Sequence, residues 1–389
     1  MHLNPALART LAPPVMEARR WLDGVSFPPE RPLLNLSQAA PVAPPPPPLQ
    51  AAMTEALADP ATHLYGPVLG LAELREALAQ RMSRLYAGTV APGQIAITSG
   101  CNQAFCAAVA ALAGPGDAVI LPTPWYFNHA MWLSMQGIEA TPLPCDDALL
   151  PDPDHAARLV TSRTRAIVLV TPNNPTGTEY PPALIAAFRD LARKTGLALI
   201  IDETYRDFLS DDGPPHDLFT DPDWDDTLIH LYSFSKAYRL TGHRVGAMAA
   251  SPALLAQIEK FLDTVTICPT GLGQRAALWG LENLAEWLAG ERAEILRRRA
   301  ALVRGLAALD GWKLRSCGAY FAYVAHPFAM PSDRLAQDLV HKAGLLVLPG
   351  TMFTPDTDTS GARHLRIAFA NADLTGLSDL LARLQGPDR

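Results

Sequence analysis

Cysteine is scarce in this chain. It has five in 389 residues, Cys101, Cys106, Cys145, Cys268 and Cys317, an odd number without any C-x-x-C spacing. That excludes a disulfide framework and a cysteine-rich zinc site, predicts reduced and mostly buried thiols in a cytoplasmic protein, and gives no reason to expect a metal. Basic charge is not in excess either: 32 Lys and Arg face 39 Asp and Glu, for a formal net charge of −7. The cations are scattered, so the footprint of a nucleic-acid-binding protein is missing. Long apolar runs are absent. Stretches such as "AIVLV" and "LALII" are of strand length and too short to cross a bilayer. The opening residues lack a basic region followed by an apolar one, and no secretory leader is expected. No internal repeat is found.

Proline is abundant, with 36 residues, and "PVAPPPPPLQ" (Pro41 to Gln50) contains five in succession. Such a run predicts a stiff polyproline strap of roughly 15 Å between an N-terminal arm and the main body. A docking site for a proline-binding domain is the alternative, disfavoured by flanks that read as folded protein.

From Ala51 onward helical and strand patterns alternate. Leu71, Leu74, Leu78, Met82 and Leu85 recur at spacings of three and four and form one apolar helical face. Strands are predicted at "QIAIT", "AVILP", "AIVLVT", "LALIID" and "LIHLYS". Pro181 and Pro182 open a helix that Gly196 closes. Near-continuous apolar strands alternating with helices predict an α/β fold with a mainly parallel sheet between helical layers. The pattern changes near Leu288, so residues 51–288 are expected to form a large domain, and residues 289–389 a smaller α+β domain joined by the arm of residues 1–50.

Unusual residues cluster where the predicted strands end, the edge at which open α/β sheets bind ligands. "SGCNQAF" follows the first strand, "TPNNPTG" the third, "DETYRDF" the fourth and "SFSKAYRLTGHRVG" the fifth. Each alone has a plain structural reading: a tight turn, a loop, a helix cap, a surface lysine. Together they bring a backbone anion cradle, an asparagine, an aspartate, a tyrosine and a lysine to one edge. A nucleophilic lysine forms a Schiff base with a carbonyl compound. The cofactor that needs such a lysine, a phosphate cradle and a carboxylate for a ring nitrogen is pyridoxal 5'-phosphate.

"YGPVLGLAELREAL", "NNPTG", "DETYRDF", "SFSKAYRLTGHRVG" and "HLRIAFA" stand in the order and at about the separations of the class I/II aminotransferases of fold type I, which the chain resembles from about Leu34 to Ala370. The resemblance implies that Lys236 holds the cofactor as an aldimine and then shuttles the substrate α-proton, while Asp202 partners the pyridine nitrogen. It implies that Asn174 and Tyr205 bond the phenolic oxygen, that Ser233, Ser235 and Arg244 bind the phosphate, and that Gly100, Cys101 and Asn102 supply backbone N–H groups beneath it. Trp125 matches the aromatic residue stacked on the ring, with Tyr126 the alternative one position on. Arg366 matches the clamp on the substrate α-carboxylate, beside Asn174. Tyr65 matches a tyrosine that reaches the phosphate of a neighbouring subunit, implying a homodimer with shared active sites. The chain departs from the family at Ser37, Gln38 and Ala39, where many relatives have a glycine against the substrate. No second arginine is assignable to a side-chain carboxylate, and His243 reads as a packing residue.

The expected activity is ping-pong transfer of the α-amino group of an L-amino acid to a 2-oxo acid. A carbon–sulfur β-lyase on the same scaffold is the first alternative. An effector-sensing domain of a transcription regulator is the second, disfavoured because the proline-rich segment before the body has neither a helix-turn-helix pattern nor a basic stripe.

Overall fold

The computed structural model describes residues 1–385. The first strand, β1 (Leu34–Asn35), belongs to the N-terminal arm. The body is built on β2 (Ile95–Thr98), β3 (Ala118–Thr123), β4 (Glu139–Pro144), β5 (Thr164–Val170), β6 (Ala198–Asp202), β7 (Leu228–Ser233) and β8 (Gly246–Ala249), in a seven-stranded sheet of order β2-β8-β7-β6-β5-β3-β4. All of β2, β3, β7 and β8 is buried, as expected of strands covered on both faces. The mainly parallel sheet between helices is the one the sequence predicts. The predicted helices are present too, at Ala72–Leu85 and Pro182–Thr195, the second ended by Gly196 at φ 68°.

Register places the site. Val170 is level with Asp202, and Asp202 with Leu231, so the chain leaves β5, β6 and β7 along one edge. β8 is antiparallel to both its neighbours, and Gly246 lies opposite Ser233 and Thr98. It therefore begins where they end, which returns Arg244 to the same edge as the turn after β2.

A second sheet, antiparallel and of order β12-β13-β10-β9, is formed by β9 (Lys313–Gly318), β10 (Phe321–Ala325), β12 (Leu348–Pro349) and β13 (His364–Ile367). β11 (Leu345–Leu346) pairs in parallel with β1 and so fastens the arm to this unit. The helix Ala285–Ala307 crosses residue 289, with Leu288 in the core of the large sheet and Ile295, Leu302 and Leu306 in that of the small one. The two units also touch at Gly177, in "NNPTG": φ is +75°, and a Cβ there would lie 2.5 Å from the Gly318 nitrogen. Only glycine allows that approach.

The proline run departs from its expected form. Pro47 and Pro48 open the helix Pro47–Ala58, because a fixed φ and a missing N–H suit the first helical turn. Only the preceding prolines remain as a strap.

Next to Asp202, Glu203 faces the other way into a buried polar cluster. His230 Nε2 is 2.8 Å and His216 Nε2 3.7 Å from its Oε2, which also accepts the Tyr86 hydroxyl. Arg206 donates to the Tyr86 oxygen (3.2 Å) and lies 3.9 Å over the Tyr232 ring. Burial alone would raise the Glu203 pKa, but the imidazoles and Tyr86 bring it down to about 2. Burial, partly opposed by Glu203, lowers His216 to about 4.

The signs agree. A depressed carboxylate contributes stability above its unfolded pKa that is lost as pH falls through the folded one, and a histidine held neutral loses its contribution as pH falls below its unfolded value. Urea midpoints are therefore expected to decline from pH 6.5 downward, with a steeper loss below pH 4.5. Glu203→Gln should cost about 3–5 kcal/mol at pH 7, measured by urea unfolding; an unchanged midpoint would contradict this account of the cluster.

Candidate active site

A cavity of about 500 Å³ opens at the shared strand edge, with the large sheet on one side and Arg366 of the small sheet and residues of the N-terminal arm on the other. Of the residues singled out in the sequence, it gathers Cys101, Asn102, Asn174, Asp202 and Tyr205, together with Ser233, Ser235, Lys236, Arg244 and Arg366. Gly100 lies immediately behind Arg244. Trp125 and Tyr65 are not on the cavity wall.

One end is an anion seat. Gly100, at φ +88°, precedes the helix Cys101–Leu112, whose first N–H groups have no intrahelical acceptor. A Cβ at Gly100 would lie 2.1 Å from Arg244 Nη2, so the missing side chain lets the guanidinium lie against the turn. Arg244 Nη1 is held by the Thr241 carbonyl (3.1 Å) and Ser235 Oγ (3.4 Å). Burial, with Asp202 nearby, pushes the Cys101 thiol well above the usual range, so Cys101 offers a backbone N–H and no thiolate.

The centre pairs an amine with a carboxylate. Lys236 is on the short helix Phe234–Ala237 that follows β7, capped by Ser233, and its Nζ donates to the Ala39 carbonyl at 2.7 Å. Burial, reinforced by Arg244 and Arg366, lowers its pKa to about 8. Asp202, 4% exposed, ends β6. Its Oδ1 accepts the Thr204 N–H at 3.0 Å, and His129 Nε2 faces its Oδ2 at 3.4 Å. Burial would raise its pKa, but the His129 and Thr204 interactions outweigh that and lower it, so the carboxylate stays ionised.

The third element is Arg366, 2% exposed on β13. Nη1 donates to Asn174 Oδ1 (3.0 Å), Nη2 to the Ser37 carbonyl, and Nε is buried without a partner. Burial lowers its pKa to about 10, leaving it cationic at neutral pH. The Ser37–Ala39 loop, where the sequence departs from its resemblance, surrounds these groups with main-chain oxygens: Ser37 O accepts from Arg366, Gln38 O from Asn371 and Ala39 O from Lys236.

Of the two adjacent aromatic residues, Tyr126 reaches the cavity and Trp125 does not. The Trp125 N–H bonds the Phe353 carbonyl (2.8 Å), and its ring packs on an apolar cluster of the large sheet. Tyr126 is extended at φ −72°, ψ 111°, and successive side chains of extended backbone diverge. Its hydroxyl stands 3.3 Å from Asn102 Oδ1. Tyr65 is 79% exposed and does not line this chain's cavity. The sequence reading overlooked His129, which stacks at 3.8 Å on Phe105 behind Asp202; its signal was a lone histidine in the apolar helix Phe127–Met135. It also overlooked Val15, Met16 and Arg19 of the arm, which line the mouth.

Comparison with known proteins gives one answer. The sequence model of the aminotransferase class I and II family matches residues 31–384. An aspartate/prephenate aminotransferase of Thermus thermophilus is 29% identical over 79% of this chain and 79% of its own length. A valine–pyruvate aminotransferase of Mycobacterium tuberculosis is 31% identical over 87% of both. Among solved structures, the aspartate aminotransferase of Thermus thermophilus with maleate superposes with a TM-score of 0.90 at 26% identity, covering 100% of each chain.

The chain has only five lysines, and Lys194, Lys260, Lys313 and Lys342 are exposed. In the cofactor-free protein, amine acylation at Lys236 is expected to rise through a midpoint near pH 8, against about 10.4 for an ordinary lysine. Peptide mapping after brief labelling across a pH series measures it, and a Lys236 midpoint at the ordinary lysine value would rule out the perturbed amine.

Proposed function

The chain belongs to the class I and II aminotransferases, and from that premise we propose that it moves the α-amino group of an L-amino acid to a 2-oxo acid by a ping-pong route centred on Lys236. The observation that carries this reading is the meeting of Lys236, ionised Asp202 and the buried Arg366 guanidinium, whose Nε has no partner, in one cavity. The family and fold are dependent on pyridoxal phosphate, and the side chains present fit that cofactor. The Gly100 turn and Arg244 form a cradle that a Cβ would fill, and Asp202 is a buried carboxylate held ionised.

When bound, pyridoxal phosphate supplies an electron sink that lets the α-proton of an amino acid depart. Ser233, Ser235, Arg244 and the backbone N–H groups at Cys101 and Asn102 would hold its phosphate, of about −1.5 to −2 charges. Asp202 would hold a proton at the ring nitrogen, and His129 positions Asp202. Asn174 and Tyr205 would bond the phenolic oxygen, and Tyr126, which lines the cavity where Trp125 does not, would be the aromatic residue beside the ring. Arg366 takes the substrate α-carboxylate on its planar fork, a geometry that lysine does not offer. Lys236, with its pKa near 8, would accept the α-proton, close to the pH at which general-base catalysis is efficient.

A homodimer with shared sites completes the proposal. Tyr65 would reach the phosphate of a second subunit, and its exposure beside exposed Leu64 and Ile267 supports an interface there; Gly66 and Cys268 are in contact at 3.4 Å. Free thiols at all five cysteines support a cytoplasmic setting. Residues 51–288, and residues 289–389 with the arm, are proposed as the two domains, residues 386–389 of the second lying outside the described residues.

The test is absorption spectroscopy of the pyridoxal-phosphate-loaded protein during single-turnover titration with L-amino acids. Loss of the cofactor's visible band, restored by a 2-oxo acid, is the expected result, absent in Lys236→Ala and slowed in Asp202→Asn. Release of pyruvate and ammonia from β-substituted amino acids, with the band unchanged, would replace transfer by β-elimination.

A further inference from the structure

Gln103 has no role in the reading above, yet it holds the turn on which the anion seat is built. Gly100, at φ +88°, opens the helix Cys101–Leu112, and three residues on Gln103 turns its side chain back. Its Oε1 accepts the Ser99 N–H at 2.6 Å, much as a glutamine at the third helical position does in a capping box. That bond fixes the Ser99–Gly100 turn and leaves the first N–H groups of the helix to a ligand. The other half of the amide goes to a different element: Gln103 Nε2 donates to Thr266 Oγ1.

Thr266 is the last residue of the helix Pro252–Thr266, whose Leu255, Ile258 and Leu262 pack with Ala104, Phe105 and Ala108 of the Cys101 helix. Directly after it the backbone is strained. Ile267 stands at φ 67°, ψ −61°, and the Cys268 N–H bonds the Thr266 carbonyl across it at 2.8 Å. This is the rare form of the γ-turn, centred on a β-branched residue, a type that ordinarily avoids positive φ. Such a conformation persists only where its surroundings hold it. Part of the hold is internal: Cys268 Sγ accepts the Gly66 N–H at 3.4 Å, and at Gly271 a Cβ would lie 2.6 Å from the Thr62 carbonyl oxygen, so the two loops lie together. Leu64, Tyr65, Val265 and Ile267 themselves are exposed.

We infer that Gln103 is a positioning residue that links the cofactor's phosphate seat to the subunit interface. A second copy of this chain, seated on Leu64, Tyr65, Val265 and Ile267, holds the Ile267 turn, and the Thr266–Gln103–Ser99 bonds carry that restraint to the Gly100 turn. The inference rests on the homodimer proposed above. Gln103 does not line the cavity; it acts through Ser99 and Thr266, a route separate from the reach of Tyr65 to a neighbouring phosphate. Linkage of this kind is reciprocal, so a phosphate on the seat favours the dimer as much as the dimer favours the phosphate.

The experiment measures the dimer dissociation constant of the full chain with and without pyridoxal phosphate, by fluorescence-detected sedimentation across a dilution series. A Tyr65→Phe background removes the direct route. In that background the cofactor is expected to tighten the dimer at least about fivefold. Adding Gln103→Leu or Thr266→Val should bring this ratio near one, and Thr266→Ser, which keeps the hydroxyl, should preserve it. A merely structural defect weakens the dimer in both states and leaves the ratio in place. A ratio near one in Tyr65→Phe alone, or one undiminished by both Gln103→Leu and Thr266→Val, overturns the role of Gln103 and leaves the dimer standing. A chain that stays monomeric at every concentration overturns the homodimer and the inference with it. Coupling that depends on Gln103 in a dimer that transfers no amino group keeps the inference and sinks the reaction.

Discussion

The arrangement depends on a carboxylate that stays charged where burial opposes charge. Asp202 is at the end of an apolar strand, and an unpaired ion there would take up a proton. The Thr204 N–H and the His129 imidazole prevent it. His129 is in turn stacked on Phe105 of the helix that begins at Gly100. The anion seat and the carboxylate thus share a support, and displacing that helix would disturb both. Lys236 follows the opposite logic. It is crowded by Arg244 and Arg366 and desolvated, which lowers its proton affinity, so the same cavity holds one group in its charged form and eases another toward its neutral form.

Asp202 and Glu203 divide two tasks between adjacent positions. Asp202 faces the cavity; Glu203 faces His216, His230 and Tyr86 in the core. Both are buried acids held ionised by histidines, and the difference in role comes only from which side of the sheet edge each faces. A change at either position therefore has a distinct signature, in chemistry for the first and in folding for the second.

The sequence revealed most of the large sheet, because fully buried parallel strands leave continuous apolar runs and their terminal loops hold the unusual residues. The lysine, the aspartate, the asparagine and Arg244 were found that way, whereas Arg366, on β13 of the small sheet, was found only through the resemblance carried by "HLRIAFA". What escaped were contacts made through orientation or through distant segments. Trp125 and Tyr126 are neighbours of similar type, and only the backbone twist decides which ring enters the cavity. Five prolines read as a strap, but helix geometry accepts Pro47 and Pro48 in its first turn. His129 carries no local motif; its meaning comes from Asp202, some seventy residues away, and the arm residues that line the mouth are brought there by the pairing of β1 with β11 and by the packing of Ala18 with Leu346 and Leu348.

The Ser37–Ala39 loop has an evolutionary consequence. Its contacts with Arg366 and Lys236 of the cavity, and with Asn371 just after β13 of the small sheet, are made by main-chain oxygens, which every amino acid has. Mutation can therefore change the side chains there while the loop keeps its position. The scaffold separates placement from side-chain identity at this rim: a substitution at Gln38 alters what faces the cavity without changing the atoms that receive Lys236 and Arg366.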